Sequence, residues 1–170
     1  MTTAWTNPTI VEQYSETGAE SIHIPWKTDE ILAVTNPSSD TLGLNGVLTH
    51  IARSPKYDIT NKTWFVRATG YNFVNLPNVI SGIEFRLTTK RAGRITDDTI
   101  QLCSNGQLIG ENRADLIVDP IKIYGGSLDL WSTSSITIDS TFGVVIRFQS
   151  HPHYPHKDSA YIQALELRIH

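Results

Sequence analysis

Ile83-Glu84-Phe85-Arg86-Leu87-Thr88 alternates apolar and polar residues without a break. Successive side chains of an extended chain point to opposite faces. This stretch therefore presents Ile83, Phe85 and Leu87 to a core and Glu84, Arg86 and Thr88 to water. Phe142-Gly143-Val144-Val145-Ile146-Arg147-Phe148-Gln149 repeats the pattern, with Phe142, Val144, Ile146 and Phe148 on one face. Residues 161–169 form a third such run: Tyr161, Leu165, Leu167 and Ile169, with Gln163 among them, face one way, and Ile162, Ala164, Glu166 and Arg168 the other.

Working outward, Thr99-Ile100-Gln101-Leu102-Cys103 and Gln107-Leu108-Ile109-Gly110 flank Ser104-Asn105-Gly106. Asn-Gly between apolar runs predicts a hairpin, because both residues accept positive φ. Further strands are expected at 46–51, 63–68 and 119–124, with 70–74 continuing or following the second. No dozen residues carry the i, i+3, i+4, i+7 spacing of an amphipathic helix. The expected fold is all-β: about eight antiparallel strands in a two-sheet, jelly-roll sandwich.

Residues 1–29 lack sustained alternation, yet they hold Trp5, Tyr14 and Trp26. Aromatic residues are sparse in disordered tails. The stretch reads as an extended N-terminal arm docked on its own domain or on a neighbouring subunit, or as a first strand with a long lead-in. Residues 30–170 form the sandwich domain. Loops are expected at Asn36-Pro37-Ser38-Ser39-Asp40 and Ser54-Pro55-Lys56.

Composition limits the function classes. The chain has 170 residues, a net charge of −3 and a single cysteine, Cys103. A net negative chain whose one basic run, Lys90-Arg91-Ala92-Gly93-Arg94, lacks interleaved aromatics is not expected to bind nucleic acid. That run reads as a solvated loop, or as a contact to an acidic patch on a neighbour. A lone cysteine forms no internal disulfide, and without a basic partner it reads as a structural or surface thiol. No apolar run approaches the ~20 residues of a membrane span, and the N-terminus has no basic-then-apolar secretory pattern.

Several clusters bear on chemistry. His151 and His153, two apart on an extended chain, would share a face, with His156 or Asp158 completing a metal set. The plainer reading is a hairpin loop stiffened by Pro152 and Pro155, its histidines exposed or at a subunit contact; no metal or cofactor is assigned. His23, His50 and His170 read as ordinary histidines. Asp97 and Asp98 are adjacent, so their carboxylates diverge in a strand, which is poor geometry for paired acid–base work; they read as a charged turn. Gly-x-Ser-x-Gly and phosphate-cradling glycine loops are absent from the sequence. The chain is expected to be a non-enzyme.

An ordered set of short motifs runs from about residue 63 to the end: Ala68-Thr69-Gly70-Tyr71-Asn72-Phe73, Leu76-Pro77, Ile80-Ser81-Gly82-Ile83-Glu84-Phe85, Asp98-Thr99-Ile100-Gln101-Leu102, Gly106-Gln107-Leu108-Ile109-Gly110-Glu111-Asn112-Arg113-Ala114, Tyr124-Gly125-Gly126-Ser127-Leu128-Asp129-Leu130-Trp131, Ile138, Phe142-Gly143-Val144 and Ala160-Tyr161-Ile162. This set resembles the jelly-roll module of tailed-phage virion structural proteins, of bacteriophage and cyanophage type. The chain departs from that pattern at Ser132, where the family usually has Gly, at Arg113, where it often has Lys, and in its His- and Pro-rich segment before the last strand.

The resemblance implies a virion protein made in the host cytoplasm, such as a capsid decoration, neck or tail component. Its partners would be other virion proteins and further copies of itself. The alternative, raised by Trp5, Trp26, Trp64, Trp131 and the six tyrosines, on whose faces sugars stack, is a receptor- or glycan-binding module of a tail or fibre, with a host-surface glycan as ligand; a glycan-cleaving jelly roll is a third reading. No catalytic residue comes with the resemblance. On physical grounds Gly125 and Gly126 supply a tight turn, Asp129 accepts backbone N–H groups there, and Trp131 plugs the sandwich. Gly82 and Gly143, inside strands, mark a bulge or a close backbone approach. Trp5, Trp26, His151, His153 and His156 are the candidate interface residues.

Overall fold

The computed structural model describes residues 1–16, 26, 62–92, 95–150 and 159–170. Eight strands are found among them: β1 (Ile10–Tyr14), β2 (Phe65–Thr69), β3 (Ile83–Ala92), β4 (Ile95–Ser104), β5 (Gln107–Ile109), β6 (Ile121–Gly126), β7 (Gly143–Ser150) and β8 (Ser159–Ile169). No helix occurs among the described residues. The strands form two antiparallel sheets, one of five in the order β1-β2-β7-β4-β5 and one of three in the order β6-β3-β8.

Two connections tie the sheets together. β3 lies in the three-stranded sheet and β4 in the five-stranded one; β7 and β8 make the same change in reverse. Because β3 pairs with β8 and β4 with β7, the four strands make one long antiparallel ribbon folded over the core. Ile83, Phe85 and Leu87 from one sheet meet Ile100, Leu102, Phe142, Val144, Ile146 and Phe148 from the other, all 1% exposed or less. Each such side chain contributes roughly 1.5–3 kcal/mol by leaving water. The alternation that predicted these faces holds in both sheets.

The Ser104-Asn105-Gly106 hairpin also forms as expected: Asn105 and Gly106 have φ of 51° and 74°, and β4 pairs with β5. The strand expected at 63–68 is β2 with the bridging residues before it, and that at 119–124 is β6. Residues 70–74 do not extend β2. The expected strand at 46–51 and the loops at 36–40 and 54–56 lie outside the described residues.

Two bulges change the predicted faces. In β8 the register slips between Thr88 and Thr89 of the partner strand, leaving Gln163 as the extra residue. Strict alternation put Ile162 beside Glu166; the bulge turns it inward, so Ala160, Ile162, Leu165, Leu167 and Ile169 are all buried. In β4 the slip falls between Asp97 and Thr99, with Asp98 extra. The two aspartates are thus mid-strand residues, not a turn. The basic run is corrected as well: Lys90, Arg91 and Ala92 belong to β3, and Arg91, in phase with Leu87 and Thr89, points into the interior.

Described residues of the expected N-terminal arm bind the chain's own sheets. Thr3 and Thr6 donate backbone N–H bonds to Ile169 and Leu167, alongside β8, and Leu167 donates back to Thr6. β1 then pairs with β2 at the edge of the other sheet. One short segment therefore lies along β8 at an edge of the three-stranded sheet and supplies the outer strand of the five-stranded one.

Candidate functional site

The turn after β6 is built by a glycine and a tryptophan. Gly125 has φ +80°, and a β-carbon there would lie 2.1 Å from the Ile83 carbonyl oxygen and 2.5 Å from Trp131 Nε1. Trp131 is fully buried and donates its indole N–H to Ile83 O at 3.0 Å. Asp129 accepts the Trp131 backbone N–H at 2.7 Å and an Arg113 bond at 2.8 Å. Gly126 has no left-handed φ, and a β-carbon there would meet only Asp129 Cβ at an ordinary 3.8 Å, so one glycine of the pair carries the constraint. At Gly82 and Gly143 a β-carbon would strike neighbouring backbone at 2.2 and 1.9 Å, which is the expected close approach.

The carboxylates of Asp97 and Asp98 point to opposite faces of the sheet. Asp97, fully buried, takes Arg91 at 2.8 Å, Lys122 at 3.3 Å and the Tyr124 hydroxyl at 2.5 Å. Arg91 also lies over the Phe148 ring at 4.2 Å, and Lys122 binds Asp115. Burial, followed by the Asp97 charge, pushes the Tyr124 phenol well up, so it stays a hydrogen-bond donor. Asp98 meets Lys62 at 2.7 Å and Arg147 at 2.5 Å. Each of these two aspartates is in contact with basic side chains from other parts of the chain, an arrangement that ties the strands together.

Cys103 is buried beside Phe65, Val145 and Tyr14, and burial pushes its thiol up to about 12. It is an inert side chain at neutral pH. Among the described residues no group of three or more His, Cys, Asp and Glu is arranged to hold a metal ion. His151, His153 and His156 lie outside the described residues.

The outer face of the three-stranded sheet carries a ladder of paired charges. Arg86 makes two bonds to Glu166, at 2.6 and 2.7 Å, and Arg168 and His170 both bind Glu84. The half-buried Trp5 lies over this ladder, its ring 4.4 Å from each of the Arg86 and Arg168 guanidinium carbons. Trp26 is 2% exposed, edge-on to Phe148, and donates its indole N–H to Trp64 O at 3.0 Å. Of the two tryptophans expected at an interface, Trp26 is therefore held in the chain's own core and Trp5 is clamped on its own sheet.

The surface that stands out was not singled out by its sequence. Leu116, Ile117, Val118, Ile121, Ile123 and Leu128 are exposed, by 44–86%. They lie along β6 and its two flanks, and β6 is an outer strand of its sheet. Edge strands usually carry outward charges that discourage pairing. The one lysine of β6, Lys122, turns inward to Asp97 and Asp115, so Ile121 and Ile123 are its exposed large side chains. A strand is expected at 119–124; the fold shows that its isoleucines face water while Tyr124 is buried.

Comparison with known proteins found no matching family model, no matching curated protein and no matching solved structure.

Proposed function

We propose that this chain is a non-enzymatic structural component of a tailed-phage virion, a capsid decoration, neck or tail part that acts through subunit contacts. The observation that carries this reading is the exposed apolar edge at β6, a surface suited to another protein rather than to a small substrate. The folded β3–β4 and β8–β7 ribbon supports the jelly-roll part of the reading, since jelly rolls curl such a ribbon over a core. The ordered motifs from residue 63 onward supply its phage part.

The glycan-binding alternative needs an open aromatic platform. Trp131 and Trp26 are buried, Trp64 packs partly buried against the core, and Trp5 is partly covered by two guanidinium groups, so the described tryptophans favour assembly over sugar recognition. Protein mass spectrometry of particles purified from a culture carrying this gene tests the reading. Recovery of the chain at a fixed copy number per particle supports it. Its absence from intact particles overturns it.

A further inference from the structure

We infer that β6 is a self-pairing edge: two copies of this chain join antiparallel along Ile121–Gly126 and merge their three-stranded sheets into one of six strands. The inference rests on the assembly reading only in taking this strip for a contact surface.

Backbone direction is the first support. Thr89 donates its N–H to Pro120 O at 2.8 Å, which makes that facing pair a hydrogen-bonded one. Bonded and non-bonded pairs alternate along an antiparallel ladder, so Lys122 and Tyr124 direct their backbone groups to β3. Ile121, Ile123 and Gly125 direct theirs outward, and among the described residues no backbone bond outside the β3 ladder takes them up. The opposite edge of this sheet, β8, already has Thr3 and Thr6 alongside it.

Side-chain character selects a second copy as the occupant. An isologous contact must be self-complementary, and isoleucine facing isoleucine across a two-fold axis meets that requirement. Lys122 would approach its own symmetry mate, but its ammonium is held by Asp97 and Asp115, which cancels the repulsion. Next to β6, Arg86 is paired with Glu166 and Glu84 with Arg168, so the β3 charges beside the isoleucines are already engaged. The six exposed apolar residues offer on the order of 700 Å², close to the ~800 Å² per partner of a stable interface.

The test is solution mass by light scattering at 5–100 µM for the wild-type chain and for Ile121→Lys/Ile123→Lys, with thermal melting as the folding check. Both side chains are exposed, so the double variant is expected to melt within a few degrees of the wild type. An Ile123→Cys variant treated with a short bis-maleimide gives a second readout, because Cys103 is buried. The expected result is a wild-type dimer, a monomeric double-lysine variant at least tenfold weaker in association, and cross-linked dimer from Ile123→Cys. An oligomer that survives the lysines and does not cross-link overturns the β6 pairing while leaving the assembly reading standing. A monomer throughout overturns the self-pairing in favour of a foreign partner for this edge, and particle composition then decides the virion reading separately.

Discussion

Gly125 and Trp131 touch so closely that the glycine's missing side chain is the space the indole occupies. A β-carbon on Gly125 would sit 2.5 Å from Trp131 Nε1, where that nitrogen donates to Ile83 O. The turn after β6, the end of the core and the start of β3 therefore depend on one another.

Gly125→Ala is expected to cost about 3 kcal/mol, from the left-handed backbone and from displacement of the indole. Gly126→Ala, whose nearest non-adjacent heavy atom would be Asp129 Cβ at 3.8 Å, is expected to cost less than about 1 kcal/mol. Urea unfolding of the two variants measures the contrast. Equal losses would show that the indole contact does not govern the turn.

Ser132 holds φ at 60°, in the region that favours glycine. The strain on an L-residue there is ~1–2 kcal/mol, partly offset in a glycine variant by the extra freedom of its unfolded chain. Ser132→Gly is expected to raise stability by about 0.5 kcal/mol, and Ser132→Val, β-branched, to lower it by about 1–2 kcal/mol. Melting temperatures of the pair check the order.

Asp97 is the one acceptor shared by Arg91, Lys122 and Tyr124. Asp97→Ala is expected to cost about 3–5 kcal/mol, since it strands the Arg91 cation in the interior. Lys122 keeps Asp115 and loses less. Arg91→Met combined with Asp97→Leu is expected to recover most of that loss, because no buried charge is then left alone. Chemical denaturation of single and double variants measures the recovery.

Asp98 sets an acid limit on stability. Burial opposes its charge, but hydrogen bonds from Lys62 and Arg147 outweigh burial and hold its carboxyl below the ordinary 3.8. A carboxyl that is more acidic in the folded state stabilises that state when ionised. The contribution is complete above the unfolded value and disappears as pH falls through the lower, folded one. The wild-type urea midpoint is expected to fall below about pH 4, and Asp98→Asn to show a lower midpoint at pH 6 with a shallower fall. An unchanged slope in the variant would assign the acid sensitivity to another carboxylate.

Much of the architecture was legible locally. Ile83–Thr88 and Phe142–Gln149 declare their inner faces by alternation, and Asn105-Gly106 declares its turn by the φ angles it accepts. Arg91, Asp97 and Ile162 lie where local alternation does not put them, for two reasons. The two bulges shift the faces of Asp98 and Ile162, and a charge is read as exposed until its partner is seen. Asp97, Lys122 and Tyr124 reach Arg91 only when two sheets close, and sequence distance carries no mark of that.

The candidate contact surface divides in the same way. The sequence by itself determined that this chain builds antiparallel strands with one apolar face and that it turns at Asn105-Gly106. Those properties belong to neighbouring residues and to the fixed two-residue period of a strand. Only the tertiary structure decided that Trp26 is core, that Trp5 lies on its own sheet, and that β6 is an outer strand with its isoleucines in water. Whether a strand is central or at an edge depends on which distant segments pair with it, and that is a property of the sheet rather than of the strand.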